Sequence, residues 1–343
     1  MSCTSAAQLT IVDGKNASCY GGIVGQCENI NVIENCISNG VSIPNVNNIG
    51  AIVGYKANGT LVNNYYRNCT VGGATTNVGT KDGDISTNDG AVQVDAVLSE
   101  TETVPSNLSG KVVFRREFTG GKASTMCLPF AYEKGTEGTY YTFGGVYYDS
   151  KWKATMTEYT GATLAANTPY LFVPAGTEAH TPVLFHGTAD YDASNLATTS
   201  TDWSFVGVYE AKTWTAGDVG NDYGFAATSG KAVDGVTDVE AGDFVKLAAG
   251  AWIRPMRSYL TYTGGGNPFA APKHRAGTEL PQSISVILVS ANGETTELSE
   301  ELRVNSEKFA TATEWYTLDG SKLDKQPTKK GLYIHNGKKE VVK

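Results

Sequence analysis

Histidine is scarce in this chain, with four residues in 343, at positions 180, 186, 274 and 335. Imidazole is the commonest general base and metal ligand, so its scarcity narrows the catalytic and metal-binding options. His180 and His186, six positions apart across Pro182, could share a metal with Asp190, but lone strand histidines more often serve structure. Gly-x-Ser-x-Gly, His-Glu-x-x-His and the Walker-type phosphate loop are all missing. There is no Cys-x-x-Cys, which argues against a zinc ribbon or a redox dithiol. No apolar run approaches the roughly 20 residues that span a bilayer as a helix. No segment before the last 29 residues is basic, so a nucleic-acid partner, which requires clustered Lys and Arg, has no footing.

What is abundant points to strands. Glycine (39) and tyrosine (18) are high, apolar residues reach 41% and charged residues only 18%. That balance suits many short strands joined by turns, an all-β chain, and the length calls for more than one unit. The net charge of -8 is uneven: residues 315–343 carry seven lysines against three acids. Five of the six cysteines, Cys3, Cys19, Cys27, Cys36 and Cys69, fall in the first 69 residues, and Cys127 stands alone. They read as small residues filling a narrow core or, alternatively, as disulfide partners. The amino terminus shows no charged region followed by an apolar stretch, and its opening, Met1-Ser2-Cys3-Thr4-Ser5, reads as a piece of a longer chain.

Residues 1–75 contain an internal repeat. Gly21-Gly22-Ile23-Val24-Gly25 returns as Gly50-Ala51-Ile52-Val53-Gly54, and Ile33-Glu34-Asn35-Cys36 returns as Val62-Asn63-Asn64-Tyr65, both at an offset of 29 (21 to 50, 33 to 62). A repeat of this length, with apolar runs too short for helices, predicts a short parallel β-solenoid, a β-helix whose units bury their apolar faces on one another. Ile23, Val24, Ile52 and Val53 are expected in the shared core, with Asn35 and Asn64 stacked at the turns. Gly22-Ile23-Val24-Gly25 with Asn35-Cys36, and Ala51-Ile52-Val53-Gly54 with Asn64-Tyr65, resemble the GLUG repeat family over residues 15–75; Ala51 departs from its first glycine. The resemblance implies the non-catalytic stalks and binding faces of bacterial surface adhesins and of immunoglobulin-A-specific metallopeptidases.

Residues 76–110, rich in Gly, Thr, Asn, Ser and Asp, read as a linker or capping segment. The stretch Asp82 to Gln93 departs twice from a calcium loop, with Thr87 where glycine belongs and Gln93 where glutamate belongs. Residues 111–263 hold recurrent Val, Tyr, Phe and Thr runs between turn residues, which predict a β-sandwich region. Ser124 to Phe130 and Ile253 to Leu260 resemble β-modules of large secreted Bacteroidota proteins. In this region Cys127, flanked by Met126 and Leu128-Pro129-Phe130, reads as a buried thiol, and the acids Glu117, Glu133, Glu137, Asp149 and Glu158 show no spacing that would pair them across a glycosidic bond. The better binding candidates are the aromatics Trp152, Trp203 and Trp214, with Trp252 and the pairs Tyr140-Tyr141 and Tyr147-Tyr148, whose adjacent rings must point to opposite faces of a strand.

Residues 264–283 read as a Gly/Pro-rich linker, and residues 284–343 as a small C-terminal β-sandwich-like module with hairpins at Asp319-Gly320 and Asn336-Gly337. Gly331-Leu332-Tyr333-Ile334 and the lysine-flanked last strand, with Gly337 and Lys338, resemble the C-terminal sorting domains of Bacteroidota type IX secretion substrates. That resemblance implies recognition by export machinery and an extracellular or outer-membrane-attached location. The sequence thus predicts a non-catalytic, adhesin-like or structural interaction protein that needs no metal or cofactor, with a surface protein or glycan as partner. The alternative is the accessory binding region of a larger secreted peptidase or glycoside hydrolase.

Overall fold

The computed structural model describes residues 4–5, 19–27, 32–43, 48–56, 60–72, 91–176, 178, 181–264 and 280–298, and the strands at 315–316, 322–323, 331–335 and 338–342. Every element in the described order is a β-strand. No helix among the described residues is long and apolar enough to cross a membrane.

In the amino-terminal region, strands from successive repeats pair in parallel. Tyr20–Gly21 and Val24–Cys27 pair with Ile49–Gly50 and Val53–Lys56 at the expected offset of 29, as in Val24 with Val53. Beyond residue 31 the offset is 28: Ile33 faces Leu61, Glu34 faces Val62 and Ile37 faces Tyr65. The expected match of Ile33 with Val62 is therefore one residue out, and Val62 is exposed while Leu61 is buried. The true register superimposes the left-handed corners, Asn35 on Asn63 and Gly40 on Asn68. It also corrects the expected stacking of Asn35 on Asn64. Buried Asn64 instead lies over Cys36, accepting from its backbone N–H at 3.2 Å and donating to the Ile33 carbonyl at 2.8 Å. Side chains alternate along a strand, so a one-residue slip would turn each apolar residue outward.

Ile52 and Val53 are fully buried, and Ile23 and Val24, partly buried, pack against the same cluster. Glycine is required at Gly54, where a Cβ would sit 2.6 Å from the Tyr20 backbone, too close for any side chain. Cys36 and Cys69 are buried in this core, and Cys19 is half-buried.

The residues expected to link or cap are, where described, built into the structure. Ala91–Gln93 adds in parallel to Asn64–Arg67, and Ala96–Leu98 adds in parallel to Lys111–Phe118. Between them Asp95 accepts from the Lys111 N–H at 2.7 Å, and Arg67 donates to the Asp95 carbonyl at 2.6 Å. Ile37, Tyr65, Val94, Val113 and Leu184 bury one another at this junction. The calcium-like stretch up to Gly90 lies outside the described residues.

The body is a curled half-barrel of eleven strands packed on a three-stranded sheet. The large sheet runs Ser124–Cys127, Pro169–Pro174, Gly138–Asp149, Lys151–Glu158, Ser283–Val289, Phe244–Lys246, Asp222–Phe225, Arg257–Tyr262, Trp203–Val208, Ala197–Ser200, with Thr295–Glu297 branching from Ser283–Val289. The curl brings its first strand against Arg257–Tyr262 and the residue before it: Thr125 Oγ1 donates to the Ser258 carbonyl at 2.9 Å, and the Cys127 N–H donates to the Met256 carbonyl at 3.1 Å. Tyr140 faces the core beneath the three-stranded sheet, with Phe114, Phe172 and Phe185, whereas its neighbour Tyr141 faces the core inside the curl, with Phe205, Phe244 and Leu260. A strand buried on both sides needs an unbroken apolar run, which is what Tyr140-Tyr141 and Tyr170 to Phe172 supply.

The boundary expected at residue 284 cuts through this sheet and is corrected. Ser283–Val289 is an inner strand, parallel to Lys151–Glu158 and antiparallel to Phe244–Lys246, with Ile284, Val286 and Leu288 buried inside the curl. The tail sheet comprises Lys322–Leu323, Trp315–Tyr316, Gly331–His335 and Lys338–Val342, all antiparallel. Gly331 and Tyr333 lie on one strand and Lys338 opens the next; Gly337 lies outside the described residues.

Candidate functional site

The aromatics singled out from sequence divide sharply. Trp203 is 3% exposed and Trp214 1%, so neither presents an open ring to solvent, and both are corrected as exposed aromatics. Trp203 sits inside the curl against Tyr223 and Tyr262, and Trp214 donates its indole N–H to Asp222 at 2.6 Å. Trp152 is half-buried, edge-on to Tyr148 across the hairpin and close to Trp203. Tyr147 and Tyr148 are both exposed, beyond the bulge at Phe143/Gly145, whereas Tyr140 and Tyr141 are both buried. Among the described side chains, the tryptophan that faces solvent is Trp252, 61% exposed.

Trp252 stands at the rim of a groove of about 520 Å³ on the curled sheet, a size typical of small-ligand sites. Trp214, Phe225, Val245 and Leu247 contribute apolar wall; Ser124, Lys231, Arg254 and Arg257 contribute polar groups. The lining holds no carboxylate, imidazole or thiol.

Behind the groove, three arginines converge on one acid. Arg254 donates to Glu100 Oε1 and Arg257 to Glu100 Oε2, each at 2.8 Å, and Arg116 Nε lies 3.7 Å from Oε2. The segment from Trp252 to Ser258 brings two of them together by kinking at Met256, a non-glycine residue in the left-handed region (φ 56). That kink is pinned on both sides, by Met256 N–H donating to Val208 and Met256 carbonyl accepting from Cys127. Strain of this kind costs about 1–3 kcal/mol and is characteristic of functional sites. Arg116 is fully buried, bonded to the Thr125 carbonyl and to Ser124 Oγ, while its Nε has no hydrogen-bond partner. Burial, and then the Arg257 charge, push the Arg116 guanidinium well below its ordinary value. Burial raises the Glu100 carboxyl, but Arg257, Arg116 and Arg254 outweigh it and hold the group below the usual carboxylate range. Three guanidinium groups against one carboxylate leave a surplus of positive charge facing the groove.

The remaining sequence candidates do not converge. Glu117 pairs with Arg115, Glu137 accepts from Tyr140, Asp149 pairs with Lys153 and Glu158 accepts from the Ala291 N–H. The His186 ring packs against Tyr65 and Tyr132, and burial lowers its pKa; His180 lies outside the described residues. Among the described residues no three His, Cys, Asp or Glu side chains cluster as a metal site. Burial pushes the Cys127 thiol up to about 12. Thiolate is the reacting form, so Cys127 in the folded protein should resist iodoacetamide at neutral pH and react once denatured, as mass spectrometry would show. Labelling of native protein at the rate of an exposed thiol would contradict its placement.

Set against protein-family models, curated proteins and solved structures, the chain matches none.

Proposed function

We propose that this chain is a non-catalytic interaction protein of a bacterial surface, which binds its partner in the groove rimmed by Trp252. The observation that carries the reading is the lining of that groove: an open indole and guanidinium groups, with no carboxylate, imidazole or thiol beside its hydroxyls to activate them for bond cleavage. Around it, the amino-terminal repeats serve as a short parallel β-solenoid that projects or extends the binding body; the parallel pairing of successive repeats supports this. The tail acts as a sorting module, read by export machinery. In support, its strands form a separate antiparallel sheet and its charge is opposite in sign to that of the remaining chain.

Two measurements test the reading. Immobilised protein presented with glycans and surface proteins should retain a partner, lose it on Trp252→Ala and release no cleavage product; product formation that survives repurification would overturn it. Deleting residues 315–343 should abolish surface display in a Bacteroidota host with type IX export and leave the melting of the body unchanged. A truncated chain that is still displayed would make the tail a structural cap.

A further inference from the structure

We propose that the groove's ligand is an acidic sugar: a pyranose stacked on Trp252, whose carboxylate or sulfate is held by Arg254 and Arg257. The inference rests on reading the groove as the binding face and adds the chemistry of what occupies it. Trp252 is 61% exposed, and the Arg254 guanidinium lies over one face of its ring, 5.6 Å from the centroid, which sets a cation against the apolar platform. A pyranose has the matching shape, an apolar C–H face with its anionic substituent at the ring edge.

The charge balance points the same way. Glu100 meets Arg254 and Arg257 through one oxygen each, so neither guanidinium makes a two-pronged pair with it. Each has five N–H donors in a fixed fork, and the Arg254 side chain is 42% exposed, so it has donors to spare toward solvent. Ser124 Oγ, on the groove lining, accepts from both Arg116 and Arg257, which leaves its own O–H to donate. Lys231 is already paired with Asp238 at 2.6 Å and adds little. Buried Arg116 holds Ser124 and Glu100 in place from behind.

An acidic peptide is the outcome the titration must separate from the sugar. The strands Asp222–Phe225 and Arg257–Tyr262 at the groove are each paired on both sides and offer no backbone edge to an extended peptide, whereas Trp252–Ile253 and Gly230–Lys231 are paired on one side only.

The test is titration calorimetry of the full chain with tetragalacturonate, its methyl ester, a chondroitin sulfate oligosaccharide and a hexaglutamate peptide. Tetragalacturonate or the sulfated sugar should bind at least about tenfold more tightly than the uncharged ester, and weaken as salt rises. Because chondroitin sulfate carries a uronate carboxylate too, its desulfated form decides the anion: unchanged binding assigns the carboxylate and lost binding the sulfate. Trp252→Ala and Arg254→Ala should each weaken that binding about tenfold or more with melting unchanged, since both side chains are substantially exposed; Arg254→Lys, which keeps the charge and loses the fork, should recover only part of it. Equal binding of the ester, lost on Trp252→Ala, would overturn the acidic-sugar assignment and leave the groove as a binding face. Tighter binding of hexaglutamate would replace the sugar by a peptide. Failure of all four ligands to bind would overturn the assignment, and the binding-face reading would then stand or fall on whether Trp252→Ala abolishes partner retention.

Discussion

Val53→Asp should melt the amino-terminal ladders, at a cost of about 4 kcal/mol or more. Val53 is fully buried between the repeats, paired with Val24 and clustered with Ile33, Ile52 and Leu61, none of which can hydrogen-bond a carboxylate. The change removes roughly 1.5–3 kcal/mol of apolar burial and strands a polar group, two penalties that add. Hydrogen exchange across residues 20–71 should collapse to the rate of unstructured chain while the curled sheet keeps its protection. Val24→Asp should cost distinctly less, because Val24 is only partly covered. If both variants exchange like the wild type, the repeats do not share a core.

The second large effect lies at Glu100. Glu100→Gln removes the counter-charge from three arginines, one of them fully buried, and should destabilise the body by about 2–3 kcal/mol, less than for a wholly buried pair because Glu100 is 28% exposed. The pH dependence follows from the direction of its shift. The folded carboxyl titrates below its unfolded counterpart, so its stabilisation is complete above the unfolded value near ~4.3 and fades as pH falls through the lower folded value. Denaturant melts should therefore show wild type above Glu100→Gln from about pH 5 to 8, with the gap closing under more acidic conditions. A gap that is constant or grows with acidity would show that the arginines do not depend on Glu100.

The sequence was most legible where local pattern and tertiary burial agree. Apolar runs such as Val112-Val113-Phe114 and Tyr170-Leu171-Phe172 are strands because both of their faces are covered, and the 29-residue repeat is the register that Val24 and Val53 adopt. It misled where one residue decides. The intervals from Gly21 to Ile33 and from Gly50 to Val62 are both twelve, yet the second half of the repeat pairs at 28, because the left-handed asparagines and the bridge made by Asn64 fix the corner. Ser283–Val289 follows a Gly/Pro-rich stretch and so read as the start of a module, whereas its alternating Ile284, Val286 and Leu288 complete the core inside the curl.

The site was the least legible part. Nothing local distinguishes exposed Trp252 from buried Trp214, since the two strands pair as neighbours, Thr213 opposite Trp252. Glu100, Arg116, Arg254 and Arg257 are separated by up to 157 positions and meet only in the folded chain, where Glu100 and Arg116 come from the three-stranded sheet and its turn and Arg257 from the curled sheet. The signal within reach was Arg254-Pro255-Met256-Arg257, two arginines three apart around a proline, too common a pattern to name a site alone.

The central claim, that the Trp252 groove is the binding face, is tested most directly by the hydrogen-exchange footprint of the full chain saturated with its tightest acidic oligosaccharide. Protection is predicted at residues 224–231 and 252–258, with the exposed aromatic hairpin at 147–152 unchanged. Protection confined to 147–152, or spread along residues 20–71 with the groove unaltered, would place binding elsewhere and contradict the account.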